Sequence, residues 1–293
     1  MKPSPSVPLR DFAASLELIA EPVVRAALLE DIGRGGDLTS ESIVAPERTA
    51  RGAIVARKGG ILAGLDIALR AFAILDAHVQ VRTLLCDGDR IEAGAHAAML
   101  DGPARAILTG ERTALNLLSH LSGIATATRT LVDLVAGTNA KIADTRNPTP
   151  GQRPLERYAV ACGGGVNHRF GLDDAVLIKD NHLALADSIH AAVSAARAHT
   201  GHMVKVEIEV DTLEQLREAL REPIDAVLLD NMAPAQLSEA VRIVNGRVIT
   251  EASGGVTTEN VVEIARSGVD LISVGWLTHS APALDFSLEL GGE

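Results

Sequence analysis

From residue 140 onward, short apolar runs alternate with longer stretches whose apolar residues recur at helical spacing. The runs are KIADTR, AVLIKDNH, MVKVEIEV, DAVLLDN, RVITEASGG and DLISVGW, starting near 141, 175, 203, 225, 247 and 270. Most intervals are 20 to 30 residues, the length of a strand, a helix and two loops. Between the runs, TLEQLREAL is predicted to start on Thr212 as its cap. TTENVVEIARSG is predicted to start on Thr257 or Thr258 and to stop at Gly268. Consecutive units of this kind imply a parallel sheet covered by helices, and six or more suggest a closed or open barrel.

The first part of the chain has another texture. Residues 12–32 read as a helix ending at Gly33. From 50 to 110, short β-branched runs are separated by glycine-rich turns, as in ARGAIVARKGGILAG and VQVRTLLCDGDRIEAG. That rhythm predicts an α+β domain with antiparallel strands, a small sandwich or split barrel. Two helical patterns follow over 110–137.

Composition narrows the class. Of 293 residues, 47% are hydrophobic but only 2% aromatic, so a large core must be built from Ala, Val, Leu and Ile. A formal net charge of -11 argues against a nucleic-acid binder. The N-terminal MKPSPSVPLRDF lacks an apolar signal core, and no apolar run is long enough to span a membrane, so a cytoplasmic protein is expected. Cys86 and Cys162 suggest neither a disulfide framework nor zinc.

Five of the six predicted strands end on charge: Arg146, Lys179, Glu209, Asp230 and Glu251. In a parallel barrel all strand C-termini open on one face, where active sites are built. A single charged strand end is ordinarily solvated; five on one face argue for a shared site. Arg146, Lys179, His168 and Arg169 form a cationic half suited to carboxylates or phosphates. Glu209 and Asp230 form an acidic half suited to ribose hydroxyls, magnesium or a developing positive charge. The small loops SGGV and SVGW follow the last two strands, where barrels commonly bind phosphate, with the helix start at TTEN behind.

The stretches GERTALNLLSHLSGIATATR, ADTR with TPG, CGGGVNHRFGL, LIKDNH, VEIEV, LLDNM, ASGGV and VGWLTHS together resemble quinolinate phosphoribosyltransferases over nearly the whole chain. The resemblance implies an N-terminal α/β sandwich domain, residues 1–115, with the tail 280–293 packing back on it. Residues 116–279 would form an incomplete parallel α/β barrel of six or seven strands. The implied reaction joins quinolinate to phosphoribosyl pyrophosphate, with magnesium, giving nicotinate mononucleotide, pyrophosphate and carbon dioxide. The implied acid-binding set is Thr145, Arg146, residue 147, His168, Arg169 and Lys179, with Arg112 reaching in from the partner of a homodimer with shared sites, possibly assembled further. Glu209 and Asp230 would hold the ribose and, through the substrate, magnesium. Lys179, Glu209 and Asp230 are the implied catalytic residues. Ser253, Gly254, Gly255, Val274, Gly275 and Trp276 would hold the 5-phosphate.

Two positions depart from the family pattern. Asn147 stands where the family usually has lysine, and Trp276 where it usually has a small residue. A paralogous phosphoribosyltransferase acting on another heteroaromatic acid, of the kind associated with molybdenum transport, is therefore the alternative. An aldolase using Lys179 as a Schiff-base amine leaves the arginines unexplained. A non-catalytic barrel leaves Glu209 without a task.

Overall fold

The computed structural model describes residues 13–291; residues 1–12 and 292–293, which include the first residue of the predicted opening helix and the MKPSPSVPLRDF stretch, lie outside the described residues. In chain order the first elements are α1 (Ala13–Ile32), α2 (Leu38–Ile43), β1 (Thr49–Ala56), β2 (Gly60–Ile61), α3 (Leu65–Leu75), β3 (Gln80–Thr83), β4 (Arg90–Ile91), β5 (His96–Pro103) and α4 (Ala104–Leu134). Next come β6 (Lys141–Ala143), α5 (Arg153–Cys162), β7 (Val176–Ile178), α6 (Asp180–Leu183), α7 (Ile189–His199), β8 (Val206–Val210), α8 (Leu213–Ala219) and β9 (Ala226–Asp230). The last are α9 (Pro234–Val244), β10 (Ile249–Ser253), α10 (Val261–Arg266), β11 (Leu271–Ser273), α11 (Trp276–His279) and β12 (Phe286–Gly291). The chain divides into two compact units, one of residues 1–127, 148–164 and 280–293, the other of 128–147 and 165–279.

In the first unit an antiparallel sheet, ordered β12-β1-β5-β3, lies against helices. Its core joins Val24 and Leu28 of α1, Phe72 of α3, Leu118 and Leu121 of α4, and Leu155 of α5 to Ile54, Leu100 and Phe286 of the sheet. Each such side chain contributes on the order of 1.5–3 kcal/mol by leaving water. Helix α3 begins under Asp87, whose carboxylate oxygens accept from the N–H groups of Gly64 and Leu65 at 2.9 and 3.0 Å and cap orphan donors from outside the helix. The Tyr158 hydroxyl donates to the same carboxylate at 2.8 Å, tying α5 to that cap.

The two helical patterns predicted over 110–137 are one helix. Gly123 does not break α4; its missing side chain makes room for residues 282–283, because a Cβ there would lie 2.3 Å from the Pro282 carbonyl oxygen. Residue 115, where the sequence draws a boundary, lies inside α4, and the division into units falls at 127/128.

The second unit is a six-stranded parallel sheet ordered β6-β11-β10-β9-β8-β7, the alternating βα architecture expected, with the strands trimmed at their polar ends. Residues 180–183 leave the strand line after Lys179 and wind into α6. Thr212 caps α8, accepting from Gln215 N at 3.2 Å. The cap of α10 is Asn260 instead of Thr257 or Thr258: residues 257–260 form a turn closed by Thr257 N–H donating to Asn260 Oδ1 at 2.8 Å. The helix therefore starts directly behind TTEN, as the sequence suggests, with the last of those four residues as its cap.

Candidate functional site

The site is built on the second unit, where its six strands end. Period-2 alternation decides which side chains enter it. Val206, Ile208 and Val210 of β8 take one face of the sheet, so Glu207 and Glu209 take the other. Strand register then places Glu209, Leu228 and Glu251 in one row across β8, β9 and β10. Glu207, Glu209 and Glu251 are all buried, Glu251 to 2% exposure, and buried carboxylates need partners.

After β6 the chain passes through Asp144, fully buried, to Thr145, Arg146 and Asn147. Asp144 accepts from Asn167 Nδ2 and from the His168 N–H, both at 2.7 Å. Backbone bonds from Asp144 N to Val166 O and from Val166 N to Ile142 O add this segment to the β6 edge. The glycine-rich segment before it therefore ends with His168 and Arg169 held against the strand end. The Arg169 guanidinium donates to Ala175 O at 2.8 Å. Burial, and then the charge of Arg146 nearby, lowers the Arg169 pKa. Among the described residues, Arg146 Nε and Thr145 Oγ1 are buried without a hydrogen-bond partner. Two guanidiniums that repel each other, with orphaned donors beside them, are arranged for an anion to enter.

Lys179 reaches across to Glu209, Nζ to Oε2 at 2.9 Å. Asp230 is pushed up from the ordinary carboxylate range by burial and then by the charge of Glu209. Asn231, held at φ 52°, donates from Nδ2 to Asp230 at 2.6 Å and from its backbone to Ser253 O at 2.9 Å. Gly254 follows at φ 91°, and a Cβ there would sit 2.1 Å from Asn231 Oδ1. Gly275 lies beneath Asn147, since a Cβ on it would be 3.1 Å from Asn147 Nδ2. Trp276 Nε1 donates to Val256 O at 2.9 Å, and Thr278 Oγ1 donates to Asn147 O at 3.2 Å, so the loops after β6, β10 and β11 are tied together.

Most residues singled out in the sequence thus gather at one set of strand ends. Val274 differs: its side chain is buried and its N–H is bonded to Ala143 O at 2.9 Å, so that donor is already used within the sheet. Arg112 is exposed on α4 in the first unit. Sequence reasoning passed over Asp144, Glu207, Asn231 and Ser273, and gave Glu251 no role. Their signal is an acid or amide inside an otherwise apolar strand or at its last turn. Glu251 accepts a short hydrogen bond from the Ser273 hydroxyl, and burial followed by the charge of Glu207 pushes its pKa up to about 7. His168, Glu207 and Glu251 each bring one ligand-type atom within 4.8 Å of the others. Because Ser273 and the imidazole already serve these carboxylates, the cluster is matched internally.

An open parallel βα barrel with paired arginines, opposed carboxylates and two glycine-bearing loops at its strand ends defines a protein that binds an anionic acid beside a phosphorylated partner. Two quinolinate phosphoribosyl transferase domains match the chain, the N-terminal domain over residues 37–122 and the C-terminal domain over 124–289. The chain belongs to the quinolinate phosphoribosyltransferase family. It is 47% identical, over 89% of its length and 90% of the relative's, to a probable nicotinate-nucleotide pyrophosphorylase (carboxylating) of Bacillus subtilis (strain 168). Over 92% of this chain and 97% of the relative it is 44% identical to the nicotinate-nucleotide pyrophosphorylase of Mycobacterium leprae (strain TN). Among solved structures, the nicotinate-nucleotide pyrophosphorylase of Francisella tularensis superposes with a TM-score of 0.90, covering 98% of each chain at 39% identity. No helix of the described residues is long and apolar enough to cross a membrane.

Proposed function

We propose that this enzyme transfers the phosphoribosyl group of phosphoribosyl pyrophosphate to the ring nitrogen of quinolinate with decarboxylation, giving nicotinate mononucleotide, pyrophosphate and carbon dioxide for NAD synthesis. The observation that carries it is the Arg146 and Arg169 pair, with the orphaned Arg146 Nε and Thr145 Oγ1 beside it. A diacid supplies negative charge to the two arginines and acceptors to Arg146 Nε and Thr145 Oγ1. Lys179 and the Asn147 amide complete the acid side.

The opposite side is acidic. As the bond between the anomeric carbon and pyrophosphate breaks, positive charge develops on that carbon, and the Glu209 and Asp230 carboxylates stabilise it. The quinolinate nitrogen donates its electron pair to form the new C–N bond, and pyrophosphate leaves with the pair of the old one. The ring nitrogen, now positive, accepts the electrons released when the adjacent carboxylate departs as carbon dioxide, and a proton takes its place on the ring. Ser253, Gly254, Gly255, Gly275 and Trp276 form the proposed 5-phosphate cradle, whose shape the bonds from Asn231 and Trp276 maintain.

Glu209 and Asp230 fit magnesium, since both are hard oxygen donors, and a cation nearby would offset the burial and then the Glu209 charge that raise the Asp230 pKa. When bound, magnesium supplies charge neutralisation to the leaving pyrophosphate. We place the enzyme in the cytoplasm, a reading supported by two free thiols. The proposal includes a homodimer in which Arg112 serves the partner's site. The exposed Arg112, and the apolar Leu18, Leu29, Leu38 and Ile43 left exposed in the first unit, support it. Mass analysis of the product tests the function: nicotinate mononucleotide with one carbon dioxide per pyrophosphate is expected, and a ribonucleotide of intact quinolinate, or no product, overturns it.

A further inference from the structure

His168 is surrounded by acceptors and donors from the protein itself. Its Nδ1 accepts the Arg169 N–H at 2.7 Å. Its Nε2 lies 3.1 Å from Glu207 Oε2 and 3.4 Å from Glu251 Oε1. Its own N–H donates to Asp144. An N–H aimed at Nδ1 requires a lone pair there, so the ring hydrogen belongs on Nε2, where the two carboxylates accept it. Both ring nitrogens are then in use.

We propose that His168 does not grip the acid as a cation: it is a neutral strut, protonated on Nε2, that spans from Glu207 and Glu251 to the Arg169 backbone and fixes where the Arg169 guanidinium stands. This rests on the acid-binding role given to Arg169 above. Burial lowers the His168 pKa, while the hydrogen bond to Glu207 and the charges of Glu251 and Glu207 raise it and prevail. The Arg169 N–H decides against them, because a second ring proton would be forced against it. The ring therefore offers Nε2–H to Glu207 and Glu251, and Glu251 also accepts from the Ser273 hydroxyl. His168 is a positioning residue, with Glu207, Glu251 and Ser273 as its footing.

A double-mutant cycle on quinolinate affinity, measured by calorimetry, separates the two roles. H168A is expected to weaken binding roughly 10- to 150-fold, the loss of one bond to a charged group. Because it acts through Arg169, H168A/R169A should bind within about threefold of R169A alone. H168N, whose Oδ1 stands near the Nδ1 position, should recover most of the H168A loss. Losses that multiply in the double variant, with no recovery in H168N, overturn the proposal. Should the variants fail to fold, two-bond 1H–15N spectra of ligand-free wild-type protein with 15N-labelled histidine still decide. A bare Nδ1 with hydrogen on Nε2 is expected; an imidazolium, or hydrogen on Nδ1, overturns it. Wild-type protein that binds no quinolinate would sink the acid assignment instead and leave the tautomer result standing.

Discussion

Replacing Gly254 with alanine should cripple use of phosphoribosyl pyrophosphate while leaving the fold in place. The new Cβ would lie 2.1 Å from Asn231 Oδ1, 2.6 Å from its Cγ and 3.0 Å from its backbone nitrogen. Asn231 has little room to yield, since its backbone is bonded to Ser253 O and its amide to Asp230. Holding alanine at φ 91° costs about 1–2 kcal/mol. Displacing Asn231 forfeits a hydrogen bond to a carboxylate, about 1.5–3 kcal/mol. The strain lowers Tm, while the lost bond, which leaves Asp230 unpositioned, corresponds to roughly 12- to 160-fold in kcat/KM for phosphoribosyl pyrophosphate. The control is Gly246→Ala, at φ 70° with nothing within 4 Å of its Cβ. It should lose only the ~1–2 kcal/mol of backbone strain, seen as a Tm lower by a few degrees with kcat/KM unchanged. Steady-state kinetics with each substrate varied, alongside thermal unfolding, reads both variants. A G254A enzyme within about threefold of wild type would refute the packing argument.

Asn147→Lys restores a cation where Asn147 offers only a dipole, and should raise kcat/KM for quinolinate by about 30-fold or more; no gain in steady-state assays would mean the surroundings, from Gly275 to Thr278, are built for asparagine. Asp225 is buried enough to raise its pKa, yet Lys205, the Val206 N–H and Arg197 bring it down to about 2. Its folded pKa is depressed, so its stabilisation is present above the unfolded value near 4 and is lost as pH falls toward 2. Asp225→Asn should therefore cost about 2 kcal/mol at pH 7 in denaturant titrations, and a gap that does not narrow below pH 4 counts against this. Mixing inactive Arg112→Ala and Lys179→Ala enzymes should restore about a quarter of wild-type activity if sites are shared within a homodimer, and none if they are not.

The βα rhythm was legible because apolar runs and helical stretches announce themselves locally, and the strand-end groups Arg146, Lys179, Glu209 and Asp230 stood out because charge stops an apolar run. Glu207 and Asp144 were not legible in the same way. A lone acid inside or just after a strand ordinarily reads as solvated, and only the register of β8 beside its neighbours shows it is buried. The stretch 110–137 read as two helical patterns although it is one helix, and the reason for a glycine at 123, the Pro282 carbonyl, lies far along the chain. Residues 148–164 join the first unit by contacts distant in sequence, such as Tyr158 with Asp87, which no local pattern announces. The spent N–H of Val274 and the engaged nitrogens of His168 likewise depend on partners that motif reading cannot supply.

The most direct measurement is pyrophosphate release from phosphoribosyl pyrophosphate and magnesium, with quinolinate, with nicotinate, or with no acid. Release that requires quinolinate and is weak with nicotinate, which lacks the second carboxylate, is the predicted result for a site built around Arg146 and Arg169. Equal release with all three, or release only with another heteroaromatic acid, would contradict it.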